Sequence, residues 1–402
     1  MLQRLCLVMA SIIMLLPLGG CWDSKYLDDL SIVVAIGIDE DPKNEKNIRV
    51  TLQVVVPNQV SDSQSGGGKE GIPVTNYIGT GLSLIDTFQN MSALTSRRFY
   101  FSHNQVMIIG EGLARKGIKD MFDMVDRDPE IRTDFDMLVA KNGKAEDILK
   151  TITSMEKIPV QQIYSMIKTY HQRVGAIYPV TVREFIQSIQ SDKEDPAIPS
   201  IELIGDANEA QKKSNTEQIE PENFLRMDSM SIFKNGKLIG FLGKEDSKGL
   251  TIVKNKLERM IISIPVGENQ KVYIAPIHNQ TKVKAVFHNH KPVIVIKVEH
   301  KTFVLDNKSA NVQLQDNDQI HWLEKEAEKI QRKLILKSMS KLQEMKSDPA
   351  AYAKHVYQAN PKYWKKNKDD WDSIFQDIPT RVDVSITIVG TGIRTRSYIG
   401  EK

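Results

Sequence analysis

Cys21 is the residue whose position points to a defined reaction. An apolar run starting just after Arg4 ends in Leu18-Gly19-Gly20-Cys21, the layout of a signal whose thiol accepts a lipid. The stretch from Leu5 to Gly20 falls short of the roughly 20 residues that span a bilayer core, so it reads as a cleaved signal rather than a membrane helix. Cys6, the other cysteine, lies inside the removed segment, which leaves Cys21 without a disulfide partner in its own chain. A thioether to diacylglycerol, with or without acylation of the new amino terminus, accounts for that unpaired thiol. Two buried acyl chains, at about 0.8 kcal/mol per methylene, give a stable anchor where one gives only marginal attachment.

Other residues have types and spacings that could do chemistry, each with a plainer structural role beside it. Gly66 and Gly71 have the spacing of a phosphate-binding loop, but Ile72-Pro73 stands where Lys-Ser or Lys-Thr is required. His288 and His290 could meet a metal from one side of a strand, yet they fall at a hairpin end with no carboxylate nearby in sequence. Asp39 and Asp41 could ligate a cation; the oxygen-rich spacing of a calcium loop does not continue, and they read as an acidic turn before Pro42. Two denser groups remain. Ser96 to Gln105 carries Arg97, Arg98, three aromatics and His103, and could meet an anion or a partner surface or simply close a helix over a sheet. Asn360 to Trp371 interleaves lysines with aromatics, including Trp364 and Trp371. Seven residues apart, these indoles would share one helix face, either at an interface or as core under a basic surface. No catalytic residue, metal site or cofactor follows from any of this.

The elements that would position these residues follow from periodicity. Leu30 to Ile38 is short, apolar and β-branched, as a buried strand is, and Ile48 to Val56 follows within hairpin reach. A Ser/Gly-rich loop, 61–71, precedes a strand from Pro73 and a helix from Leu82 whose apolar face takes Leu84, Ile85, Phe88, Met91 and Ala93. Ala145 to Gln190 is mainly helical. Asp206 to Asn223 loses all periodicity and reads as an exposed linker. Asn235-Gly236 supplies the positive φ values of a two-residue hairpin turn. Long strands from Val272 and Pro292 pair through 289–291, Asp318 can cap a long helix, and Val382 to Ile388 alternates as a final strand. The expected fold is α+β, with mixed and antiparallel sheets and packed helices. Its expected parts are a signal (1–20), an N-terminal α/β domain (21–142), a mainly helical middle domain (143–222, with loop 206–222 exposed) and a C-terminal α+β domain (223–402).

Composition is that of globular material. The net charge of +3 falls to +2 once Arg4 leaves with the signal, and basic residues are interspersed with acidic ones, so nothing calls for nucleic acid. After Cys21 no run is long enough to cross a bilayer, and any pore must come from other chains.

Taken together, Gly20-Cys21-Trp22-Asp23, Gly37-Ile38-Asp39, Arg97 to Asn104, Arg127 to Arg132, Pro361-Lys362, Trp364, Trp371-Asp372, Phe375 and Arg381 to Gly392 resemble the Ger(x)C family, the lipoprotein C subunits of spore nutrient germinant receptors. Gly19, and Thr95-Ser96 before the paired arginines, depart from the family's usual residues. The resemblance implies a three-domain, non-enzymatic lipoprotein on the outer face of the inner spore membrane, assembled with integral-membrane A and B subunits that sense amino acids or sugars. Only Cys21 takes a defined chemical role from it. Read from residues alone, a lipid-anchored solute-binding protein of an importer is the second reading. That class uses two similar lobes of parallel βα units, against which the antiparallel signals after Gly236 speak. Replacing Cys21 with Ala should release the chain from the membrane fraction; full retention, followed by immunoblot of washed membranes, would contradict the anchor.

Overall fold

The computed structural model describes residues 29–56, 72–127, 132–309 and 311–391. Cys21, the 61–71 loop with Gly66 and Gly71, and 128–131 lie outside the described residues.

Among the described residues, β1 (Leu30–Glu40), β2 (Ile48–Val55), β3 (Val74–Gly81), β4 (Arg98–Tyr100), β5 (Val106–Gly110), β6 (Asp136–Ala140), β7 (Ala197–Ile204), β8 (Phe224–Lys234) and β9 (Lys237–Leu242) share one sheet. Its order is β3-β2-β1-β5-β6-β7-β8-β9, with β4 beside β1. Strand β1 is the axis. It pairs antiparallel with β2 and parallel with both β4 and β5, and its Val33, Ala35, Ile36 and Ile38 are buried. A strand covered on both faces must be almost continuously apolar, which is why 30–38 carries no polar alternation.

Helices α1 (Leu84–Met91), α2 (Glu111–Lys116), α3 (Phe122–Arg127), α4 (Ala145–Lys150), α5 (Pro159–Val174) and α6 (Val182–Gln190) accompany this sheet. On α1 the buried residues are Leu84, Thr87 and Met91; Ile85, expected inward, is exposed. Pro159 begins α5 rather than breaking a helix, as suits a first-turn position whose amide has no intrahelical acceptor. The capping box of α6, Thr181 with Glu184, is complete.

Segment 206–222 connects two adjacent strands of one sheet, because β7 and β8 pair antiparallel across it. It contains α7 (Ala207–Ala210), capped by Asp206, and it buries Ala210 and Asn215. The hairpin turn at Asn235-Gly236 (φ 50° and 76°) joins β8 to β9 and so completes the larger sheet.

Helix α8 (Lys244–Val253) leads to the second sheet, β10 (Ile262–Gly267), β11 (Gln270–His288), β12 (Lys291–Asn307) and β13 (Thr380–Gly390), in that order. The β11–β12 hairpin turns on Asn289 and His290, both at positive φ. Helix α9 (Asn317–Glu344) is capped by Asp316, which accepts from the Asp318 and Gln319 amides; Asp318, expected as the cap, is inside the first turn. Glu328 accepts from the Ile386 amide and pairs with Lys325, and the Arg332 guanidinium donates to the Val382 carbonyl. Glu328 and Arg332, one turn apart on α9, thus each hold β13. Helices α10 (Tyr352–Ala359), α11 (Pro361–Asn367) and α12 (Trp371–Asp377) complete the second unit. The architecture is mixed α and β with mixed and antiparallel sheets, as the sequence leads one to expect.

His300 on β12 is buried with neither ring nitrogen hydrogen-bonded, and burial pushes its pKa down to about 4. The unfolded imidazole titrates near 6.5, so the folded state binds fewer protons between these values. The destabilisation from this one group should be nil above pH 6.5 and grow as pH drops toward 4, to roughly 3 kcal/mol. His300→Leu should flatten that acid limb in urea titrations; an unchanged pH profile would contradict the assignment.

Candidate functional site

Strand β1 positions most of the residues singled out from sequence. At its carboxyl end Asp39 is buried and accepts hydrogen bonds from the amides of Ala145 (2.8 Å) and Glu146 (2.9 Å). Helix α4 has no cap of its own, since Lys144 makes none, so a carboxylate from another strand satisfies its first amides. Burial raises Asp39 to about 6 despite those two donors. Gly110 and Gly37 make the approach possible: a Cβ at Gly110 would lie 2.0 Å from the Asp39 carboxylate, and one at Gly37 would meet Leu149 and Ala145. Arg49 then binds Glu146 at 2.6 Å. Asp39 therefore spends its oxygens on the fold, and Asp41 accepts from the Lys43 amide in the turn that follows. Sequence reading missed this cap; the signal available was a helix starting at Ala145 with no Ser, Thr, Asp or Asn before it.

At the amino end of β1, Leu30, Ser31 and Ile32 pair with Arg98, Phe99 and Tyr100. Phe99 is buried against Tyr77 (centroids 5.6 Å), Phe101 stacks obliquely on Phe88 (4.8 Å), and Tyr100 meets His103 edge-on (5.8 Å). Those aromatics fix the segment on the sheet and leave Arg97 and Arg98 exposed at its start. His103 lines a polar cavity of about 630 Å³ with Arg132, Asp134, Asp136 and Glu156, in which Arg132 and Asp134 are ion-paired at 2.5 Å.

Trp364 and Trp371 lie elsewhere. They sit on α11 and at the start of α12, on either side of a short 3₁₀ turn, and not on one continuous helix. Both are buried and pack edge to face with centroids 5.1 Å apart; Trp371 also neighbours Phe375. The lysines beside them, Lys365 and Lys366, face solvent. His288 and His290 are exposed at the β11–β12 turn. The structure thus brings Arg97, Arg98 and His103 to one end of the larger sheet and places the tryptophans in the second unit's core.

No group of three or more His, Cys, Asp or Glu side chains among the described residues could hold a metal. No described helix is long and apolar enough to cross a membrane.

Two family descriptions match this chain: the spore germination protein N-terminal domain over residues 23–203, and the spore germination B3/GerAC-like C-terminal domain over 228–392. Spore germination protein KC of Bacillus subtilis is 29% identical, with 98% of this chain and 97% of that protein covered. Spore germination protein B3 of the same organism is 27% identical over 94% of this chain and 96% of its own. The crystal structure of the GerBC protein has the same fold, with a TM-score of 0.52 at 21% identity over 88% of this chain and 96% of that one. The chain belongs to the Ger(x)C family of spore germination proteins, and its role lies in germination.

The two residue groups should respond oppositely to truncation. Trp364→Ala should cost about 3–5 kcal/mol in urea denaturation, as large-to-small core changes do. Arg97→Ala should stay within about 0.5 kcal/mol. Equal costs would contradict this division into core and surface.

Proposed function

We propose that the chain is a non-enzymatic, lipid-anchored subunit of a spore nutrient germinant receptor. Cys21 holds it on the outer face of the inner spore membrane, where it assembles with the integral-membrane A and B subunits to trigger germination. The observation that carries this reading is the family match over nearly the whole chain, from residue 23 to 392, immediately behind the lipid-signal layout at Leu18 to Cys21.

The polar residues support a positioning role. Asp39 caps α4, Asp316 caps α9, and Asp348 accepts from two amides of α10, so these conspicuous buried or capping carboxylates serve the backbone. The two sheets are also unlike each other in size and strand order, whereas an importer's solute-binding protein is built from two similar lobes.

Photo-crosslinkers installed at Arg97 and at Lys362 in sporulating cells should capture the A or B subunit from at least one site, identified by mass spectrometry. Capture of importer permeases, or of neither class of integral-membrane protein from either site, would contradict the assignment.

A further inference from the structure

Four crossings of the backbone converge at the amino end of β1. The chain enters at Leu30, β2 leaves at Val56, the chain returns at Pro73, whose carbonyl accepts from the Val56 amide at 2.8 Å, and α1 delivers Leu94 to Arg98 beside Leu30. The Ser31 and Thr95 hydroxyls lie 3.3 Å apart, which fixes the last of these against the first. A groove of about 390 Å³ opens there between Leu30, Val56, Thr75, Leu94 and Arg97. Leu94 on its lining is 56% exposed, and Ile72, the residue before Pro73, is 48% exposed. Arg97 and Arg98 are exposed beside them, and Asp29 is the acidic residue next to Leu30 in sequence.

We propose that this end of the larger sheet is a lipid-facing surface. Leu94 and Ile72 enter the interfacial layer, and Arg97 meets the phosphates of anionic headgroups. The proposal rests on the anchoring reading given above and adds which face the anchor holds down. Cys21 and Leu30 are separated by nine residue steps, which even fully extended reach only about 30 Å. That tether ends at this surface and not at the far end of the 11-residue strand β1. A body held this close meets the bilayer first with the side from which its tether leaves. Exposed apolar side chains at the same sheet end as Arg97 suit that boundary, where apolar side chains bury into the acyl edge and each cation near an anionic surface contributes roughly a fivefold gain in partitioning.

The test uses the full lipidated chain in vesicles of phosphatidylcholine with 30 mol% phosphatidylglycerol and in detergent micelles, compared by hydrogen–deuterium exchange. Flotation with the vesicles in high salt, which screens the headgroup contacts, is abolished by Cys21→Ala and reports the anchor. Vesicle-dependent protection of peptides covering 30–32, 72–78 and 94–100 reports the face. Flotation without that protection overturns the present proposal and leaves the anchor standing; failure to float overturns the anchoring reading itself. Protection that appears only when the integral-membrane subunits are added also overturns it, because the occupant would then be protein. A second measurement removes the anchor: the Cys21→Ser chain should bind the anionic vesicles in a salt-sensitive way. Arg97→Gln should weaken that binding roughly fivefold, and Leu94→Asp should weaken it further at unchanged thermal stability. Equal binding by both variants and the parent counts against the surface.

Discussion

A polar seam at the end of β8 ties the second unit to the larger sheet. Lys234 binds Asp195 at 3.1 Å and Asp372 at 2.6 Å, the Asp348 amide donates to Asp195, and the Ser347 hydroxyl donates to the Phe233 carbonyl. Asp348 is buried and accepts from the Tyr352 and Ala353 amides, which lets α10 start from Ala351 at positive φ. Burial raises the Asp348 pKa all the same. Carboxylates this enclosed are tolerated only when their hydrogen bonds are filled. The seam therefore admits one relative placement of β8, the 345–351 turn and α12. Behind it, Gly249 lets Ser338 of α9 approach α8 so closely that a Cβ would sit 2.3 Å from the serine side chain. Helix α8 in turn touches β8, β9 and β11.

This construction explains how a chain with little visible chemistry can work as a coupling part. The family boundary falls between residues 203 and 228, yet β7 and β8 on either side of it are hydrogen-bonded neighbours. One continuous sheet runs from β1 to Lys234, and the seam ties its end to the start of α10 and to α12. That continuity suits a protein whose proposed work is to hold membrane partners in fixed register.

Much of this was legible in the sequence where local chemistry decides the outcome. The largely apolar run 30–38 points to β1, Asn235-Gly236 to the β8–β9 hairpin, and the alternation from Val382 to β13, because periodicity and turn residues act over a few positions. What escaped notice depends on partners distant in sequence. Asp39 looks like an acidic turn until α4, 106 residues later, presents its uncapped amides. Segment 206–222 reads as exposed chain, and its Asn215 amide is tied to the carbonyls of Ile152, after α4, and Asn223, before β8. The seven-residue spacing of Trp364 and Trp371 suggests one shared helix face, but a 3₁₀ turn between them folds one indole against the other. For the candidate site, the residue types around Arg97 could be named in advance. Their placement beside Leu30 could not, since it needs the parallel β1–β4 pairing.

The central claim is that the mature chain begins at a lipidated Cys21 and that the folded body acts from there. Intact-protein and N-terminal peptide mass spectrometry of the chain purified from spore membranes tests it most directly. The account expects a first residue of Cys21 carrying a thioether-linked diacylglycerol. An N-terminus still bearing residues 1–20, or a free Cys21 thiol, would contradict it.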